Sequence, residues 1–541
     1  MMHIHQQPTT PFDDQKPGTA GLRKKVAAIA QPHYLENFVE AVFRNVPELT
    51  GGRLVIGGDG RYHNDVAIQT IVAMALAHGV QHILIARQGW LSTPAASHLI
   101  RARGADGGFV LTASHNPAGP EGDFGIKFNI RGGGQAPSSL TDAIYETSRT
   151  LDSYRIADIA PVAIDEVGAR ELEDGARIDV VDGVADYAAL MQQLFDFDAI
   201  RDWLSQGHRI IFDAMHAVTG PYARRILVEQ LGAPEAAVRN AEPLTDFGGG
   251  HPDPNLIYAA DLVDEMMGDA PADLAAASDG DGDRNMILGP GLFLSPGDSL
   301  AMLAAHLDRL PGYQDGLAGV ARSMPTSRAL DTVAAARGID CYETPTGWKY
   351  FCNLLDAGRL TLCGEESFGT SSSHVREKDG LWAVLAWMNI LAVTDQTLPE
   401  LARAHWARYG RHYYQRHDYE DLDAEIAERV ISELRGRLES LPGQSFEGLE
   451  VTAADDFAYT DPIDGSRAEA QGLRVVFGDE ARVVLRLSGT GTGAATLRLY
   501  LERFVPPGSE MPDALEQLLP VAEAVTRLRA ISGRKRPDVV T

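Results

Sequence analysis

What this chain has little of already narrows its function. Cysteine is scarce: Cys341, Cys352 and Cys363 are the only three in 541 residues. They stand eleven apart with no C-x-x-C pair. That is neither a disulfide framework nor a zinc-thiolate site, and it suits a reducing cytoplasm. Long hydrophobic runs are absent. The longest, residues 381–393, is 13 residues with Asn389 inside it, which fits a buried helix and no membrane span. The first residues, through Phe12 and Asp13, hold no apolar signal core, so no leader is expected. Positive charge is also short: 48 Lys and Arg against 75 Asp and Glu leave a formal charge of −27. This excludes nucleic acid and an anionic membrane surface as the main partner. An anionic substrate would need a local cluster of Arg and Lys. The basic run Arg534-Lys535-Arg536 is expected to be a frayed terminus.

What is present is an ordinary soluble composition, 44% hydrophobic and 23% charged, in a chain too long for one core. Residues 53–58 read as a buried strand ending in glycines. Residues 63–78 place Val66, Ile68, Ile71, Val72 and Leu76 at helical spacing, and residues 81–86 return to a strand. The β-α-β rhythm recurs at 209–213 with 221–231, and at 317–321 with 327–337. It predicts largely parallel sheets with helices on both faces, and ligands beyond the carboxyl ends of the strands. After about residue 410 the texture changes. Residues 474–477, 481–487 and 495–503 read as antiparallel strands of a smaller α+β domain.

Two loops carry the chemistry. Thr112-Ala113-Ser114-His115-Asn116-Pro117 follows the apolar Phe109, Val110 and Leu111, exposing a hydroxyl at a strand end. Asp279-Gly280-Asp281-Gly282-Asp283-Arg284 follows the apolar residues 274–277. Three carboxylates on alternate residues repel one another, and glycines let the backbone curl them around one hard cation such as Mg²⁺. The alternatives are an acidic solvated turn or an EF-hand. The EF-hand fails, because Arg284 and Pro290 occupy the positions of its required Gly and Glu. An oxygen that can hold a phosphoryl group beside a metal site points to phosphoryl transfer.

Three further segments are weaker. Ser488-Gly489-Thr490-Gly491-Thr492-Gly493-Ala494 matches a dinucleotide fingerprint, but the following residues alternate as a strand, so that reading is rejected. It remains either a glycine-rich hairpin or an anion nest beside Arg486 and Arg498. Gly364-Glu365-Glu366-Ser367-Phe368-Gly369 offers carboxylates for sugar hydroxyls or, equally, a charged helix N-terminus. Lys127 and Lys378 serve as general acid or base only if their pKa values are lowered, and are otherwise surface charge.

Together with Gly18-Thr19-Ala20-Gly21-Leu22-Arg23, Gly122-Asp123-Phe124-Gly125-Ile126-Lys127, Pro345-Thr346-Gly347-Trp348-Lys349 and Arg376-Glu377-Lys378-Asp379-Gly380, these segments resemble the phosphohexomutase superfamily, within it the phosphoglucomutases. The likeness runs from about Gly18 to Phe504 in the family's order. It implies three related mixed-sheet α/β domains plus a C-terminal α+β domain around a central cleft. The expected bounds are 1–185 with the phosphoserine loop, 186–304 with the Mg-binding loop, 305–405 with the sugar loop and 406–541 with the phosphate loop. It implies Ser114 as phosphoserine, and Asp279, Asp281 and Asp283 holding Mg²⁺ with the phosphorylated Ser114. Glu365 and Ser367 would read sugar hydroxyls, with Thr346 and Gly347 orienting the ring. Arg486, Ser488, Thr490 and Arg498 would grip the distal phosphate. Arg23, His115, Lys127, Arg284 and Lys378 would surround the reacting centre.

The activity implied is the reversible conversion of α-D-glucose 1-phosphate to glucose 6-phosphate, with glucose 1,6-bisphosphate as intermediate and activator. A small phosphosugar is then the partner, for a cytoplasmic monomer or weak dimer. The family usually has Ser where this chain has Ala20, a lost hydroxyl of small expected effect. The rivals are a mutase for another sugar, a phosphatase and a non-catalytic paralogue. The Glu365-Glu366 form favours glucose, no His cluster for a two-metal phosphatase is evident, and no key residue is missing.

Overall fold

The computed structural model describes residues 2–18, 20–173, 175–488 and 494–541. Its first sheet has seven strands, with parallel pairing at the centre and antiparallel pairing at both edges. Arg53–Gly58 lies between His82–Trp90 and Gly107–Leu111, parallel to both. Leu54, Val55 and Ile56 are wholly buried, because helices cover both faces of such a strand and no polar alternation is tolerated. Asn64–Ala77 is the crossover helix. Asp123–Ile130 and Leu22–Lys25 extend one edge, Arg177–Val181 and Gly168–Glu171 the other.

Two smaller sheets repeat the plan. Ile210–Asp213 and Leu274–Ser278 are parallel neighbours in a five-stranded sheet, as are Val320–Ser323 and Leu362–Gly364 in a four-stranded one. The helix expected over 221–231 forms with a change of winding. A short α-helix, Thr219–Ala223, runs into a π-helical stretch, Arg224–Gln230. The wider turn leaves successive residues Ile226 and Leu227 both fully buried.

The C-terminal part is a six-stranded antiparallel sheet that includes Leu473–Phe477, Ala481–Ser488, Ala494–Val505 and Arg411–Asp423. The helices Ala424–Arg435 and Ala514–Thr526 pack on it. The end of the chain is not frayed, contrary to the sequence expectation. Val539–Val540 pairs with the strand Arg411–Asp423, and Arg534 Nη2 donates to Glu420 O at 2.7 Å. Backbone pairing outweighs the solvation that the basic run would otherwise gain.

One buried cluster runs from Val55 through Phe212 and Leu300 to Trp382 and Trp387, joining the first three sheets. The apolar run read as a buried helix is Gly380–Thr394, at the middle of this cluster. No single helix among the described residues is long and apolar enough to cross a membrane. The C-terminal sheet keeps a core of its own, from Tyr419 to Leu528. It meets the rest through a small apolar patch, including Met324 and Tyr500, and a polar seam. In that seam Arg482 donates to Met324 O at 2.7 Å and Thr326 O at 2.8 Å, and pairs with Glu502 at 3.0 Å.

Candidate active site

Ser114 sits just past the carboxyl end of Gly107–Leu111, 3% exposed, with φ of +54°. A left-handed non-glycine costs energy and persists only where neighbours over-determine it. Here they do. Thr112 Oγ1 accepts from Ser114 N at 2.8 Å and donates to Asp59 Oδ2 at 2.6 Å. Arg61, paired with Asp59 at 2.9 Å in full burial, donates to Ser114 O at 2.7 Å. The second loop presses on the first. A Cβ on Gly280 would stand 2.3 Å from Ser114 O, so only glycine fits there. The close approach puts Ser114 Oγ 2.9 Å from Asp279 Oδ2 and 3.3 Å from His115 Nδ1.

Asp279, Asp281 and Asp283 are all buried, with one carboxylate oxygen from each within 4.8 Å of the others. Asp279 Oδ1 accepts from the N–H groups of Asp283 and Arg284, which curls the loop. Asp281 Oδ2 accepts from Thr93 Oγ1 at 2.7 Å. Asp281 Oδ1 and Asp283 Oδ1 are buried without a hydrogen-bond partner. Burial, then repulsion from Asp283 and Asp281, pushes the Asp279 carboxyl well above the usual range. For Asp281, burial acts in the same sense but the charge of Lys127 and the Thr93 hydroxyl prevail and lower it. Orphaned oxygens on converging carboxylates, with a serine oxygen beside them, are the donor set of a hard divalent cation.

Cations ring this cluster. Arg284 pairs with Asp253 at 3.2 Å and lies 3.8 Å from Asp279. Arg23 is within electrostatic reach of Asp281, Arg284 and Asp283, and burial lowers its pKa. The His115 ring is held well below its usual pKa by burial and by Arg284 and Arg23, so it is neutral. Lys127 Nζ donates to Thr93 Oγ1 at 3.1 Å and pairs with Glu377 Oε1 at 3.2 Å. Glu377 is wholly buried and also accepts from Asn129 at 2.9 Å and Gln135 at 3.0 Å. Lys378 pairs with Asp283 at 3.2 Å. Burial would lower the Lys378 pKa, but Asp283, Glu365 and Asp279 together outweigh it and raise the pKa. The lowered pKa that a basic lysine needs is therefore not met at Lys378.

The next loop reaches in from Leu362–Gly364. Glu365 Oε1 accepts from Gly347 N at 2.8 Å, and burial raises its carboxyl against the pull of Lys378. Thr346 Oγ1 is buried with no partner, and Ser367 is half-buried. Glu366 turns the other way. It accepts from Tyr500 OH at 3.1 Å and Ser323 Oγ at 3.3 Å, and Tyr500 OH accepts from Arg486 Nη1 at 3.4 Å. Arg486 and Arg498 are register partners on neighbouring antiparallel strands. Like charges placed directly opposite repel, and an anion between them removes the cost. Arg498 Nε is buried without a hydrogen bond, 3.7 Å from Asp418. Ser488 ends the strand beside them. Thr490 lies outside the described residues.

Sequence reasoning missed Asp59, Arg61, Thr93, Asp253 and Glu377, which hold the chemistry-bearing groups, and it missed the turn of Glu366 toward Tyr500. Two signals were available. Gly57-Gly58-Asp59-Gly60-Arg61 and Gly248-Gly249-Gly250-His251-Pro252-Asp253 are glycine-rich segments carrying charge, the first at a strand end. Thr93 and Glu377 gave no signal of their own.

Four successive regions match known families. Residues 14–155, 185–291 and 296–409 match phosphoglucomutase/phosphomannomutase alpha/beta/alpha domains I, II and III. Residues 411–538 match the phosphoglucomutase-1 C-terminal domain. A phosphoglucomutase of Rhizobium radiobacter is 54% identical over 537 residues, spanning 98% of this chain and 99% of that one. The phosphoglucomutase of Aspergillus fumigatus is 47% identical, with both chains wholly covered. Among solved structures, the open form of Paramecium parafusin, a phosphoglucomutase, superimposes with a TM-score of 0.93 at 44% identity over 99% of both chains.

Proposed function

Because this chain belongs to the phosphoglucomutase/phosphomannomutase family, we propose that it interconverts α-D-glucose 1-phosphate and glucose 6-phosphate through a phosphoserine at Ser114. The observation that carries the reading is the buried Ser114 Oγ, 2.9 Å from a carboxylate whose two neighbours keep unpartnered oxygens.

In the forward direction the Oγ–P bond of phosphoserine 114 breaks as the free sugar hydroxyl bonds to phosphorus, and the proton that this hydroxyl gives up ends on the departing Ser114 Oγ. Glucose 1,6-bisphosphate results. After the bisphosphate turns over in the cleft, its other sugar O–P bond breaks as Ser114 Oγ bonds to phosphorus, the serine proton ends on the sugar oxygen, and the product leaves. Asp279, Asp281 and Asp283, with the phosphorylated Ser114, would hold Mg²⁺, which supplies Lewis-acid neutralisation of the transferring group. Arg23, Arg284, Lys127 and Lys378 add fixed positive charge where negative charge develops. Neutral His115 lies beside the oxygen that gains and loses phosphorus. Glu365 and Ser367 read hydroxyls, and Thr346 and Gly347 orient the ring. Arg486, Ser488, Thr490 and Arg498 clamp the phosphate that does not react, so binding energy positions the attacking hydroxyl. The reading includes a cytoplasmic monomer or weak dimer, a setting that three free thiols suit.

The test is turnover of glucose 1-phosphate and mannose 1-phosphate by the purified chain with Mg²⁺, with and without glucose 1,6-bisphosphate. Glucose 6-phosphate should form faster with the bisphosphate, and Ser114→Ala should lose turnover entirely. Release of inorganic phosphate, preference for the mannose ester, or activity surviving in Ser114→Ala would overturn the reading.

A further inference from the structure

The strand Ile4–Pro8 takes no part in the catalytic loops. It pairs antiparallel with Ser153–Ala157 in a two-stranded ribbon, with Ile4 opposite Ala157. The ladder continues one step further, where Asp158 N donates to His3 O at 2.8 Å. Residues two apart on a strand project to the same side, so His3 and His5 share a face. Asp158, just past the end of the partner strand, meets them there.

Three ligand atoms converge. His3 Nδ1 is 3.2 Å from His5 Nε2 and 3.4 Å from Asp158 Oδ2. His5 Nε2 is 2.6 Å from the same Asp158 oxygen. A tetrahedral ion with bonds of about 2.0–2.1 Å sets its ligands about 3.3 Å apart. Two of the three edges already have that length, and the third opens by rotation of side chains that are 40% and 66% exposed. Each ring presents a nitrogen to the same carboxylate oxygen, as a donor while it carries a proton and as a lone pair once that proton leaves. A cation placed among them takes all three.

We propose that His3, His5 and Asp158 form a site for one divalent transition ion of the zinc class, with water completing the coordination. Two imidazole nitrogens and one carboxylate favour zinc over magnesium, whereas the all-carboxylate Asp279–Asp281–Asp283 cluster has the opposite preference. One chain thus sorts two cations between two sites by ligand softness. Occupancy pins Ile4–Pro8 to the ribbon, beyond its backbone pairing and the Gln6–Ser153 hydrogen bond.

Zinc titration of the full chain against a chelating indicator, in excess Mg²⁺, tests this independently of the catalytic reading. Wild type and Asp281→Asn should each bind one equivalent. His3→Ala, His5→Ala and Asp158→Asn should each weaken that binding by at least about tenfold while leaving sugar-phosphate turnover unchanged. Zinc should also slow amide exchange across 4–8 and 153–157 in wild type and Asp281→Asn, and not in the three site variants. No zinc equivalent in wild type, or one that the three substitutions leave intact, would overturn the site.

Discussion

The two ends of the cleft are carried differently. Ser114, the three aspartates, Lys127, Glu377 and Lys378 come from units that share one buried cluster, and they are held by mutual hydrogen bonds and ion pairs that leave only the cation-facing oxygens of Asp281 and Asp283 unpartnered. Arg486 and Arg498 come from a unit with a separate core, joined to the others by a largely polar seam. Fixed dipoles and charges serve a phosphoryl transition state only if they need no rearrangement when charge develops, which explains the welded end. The distal end must accept a phosphate on either carbon of the sugar, and polar interdomain surfaces permit relative motion. Rigidity is concentrated where bonds change, and latitude where a phosphate is only held.

The comparison breaks first if the welded end does not depend on its bonds. Glu377 is the keystone there, because it takes donations from Lys127, Asn129 and Gln135 at once. Glu377→Gln removes the countercharge of a buried ammonium and turns one acceptor into a donor facing the Gln135 amide. Breaking a buried pair by removing one partner costs about 3–5 kcal/mol, so the melting temperature should fall. If roughly half of that loss is expressed in the transition state, kcat falls roughly 10- to 70-fold with KM changed far less. Thermal unfolding and steady-state kinetics on the soluble variant check both. An unchanged kcat would show that Lys127 is not held for the chemistry.

The distal end should answer in the other parameter. Tyr500 OH bridges Glu366 and Arg486, so the loop proposed to read the sugar and the arginine proposed to grip the phosphate share one hydroxyl. Tyr500→Phe keeps the ring in place and removes the bridge. A neutral-to-charged hydrogen bond lost at a positioning residue is worth about 1–2 kcal/mol, a rise in KM of roughly tenfold with kcat within about twofold. A fall in kcat at constant KM would place Tyr500 functionally with the reacting end.

How much of this was legible in the sequence follows the same division. Strand–helix alternation gave the three α/β units and the change of texture near residue 410, because those patterns are local. Ser114 and the three aspartates were legible because each loop announces itself after an apolar strand. The supports were not. Lys127 meets Glu377 250 residues away, and Thr93 meets Asp281 across 188, so nothing nearby marks either contact. Glu365 and Glu366 are adjacent and chemically identical. Only the fold shows that one faces Gly347 in the cleft while the other holds Tyr500. The terminal strand was misread for a related reason: its pairing partner, the strand Arg411–Asp423, lies more than a hundred residues earlier.

The smallest effect sharpens the comparison most, because it separates charge from mere polarity at the reacting end. Ala20 lines a small pocket with Pro17, Gly18, Gly21, Lys127 and Gln135. A serine there could add a hydroxyl acceptor for Lys127. Lys127 already has Thr93 and Glu377, so one more neutral bond contributes at most about 0.5–1.5 kcal/mol. The bond would form equally in the ground state and the transition state, and uniform binding does not raise kcat. Ala20→Ser should therefore leave kcat within about threefold of wild type, with any change appearing in stability. Steady-state kinetics at saturating substrate decide the matter. A tenfold gain would mean that the welded end lacks a group it needs, and that its charges alone do not account for its preorganisation.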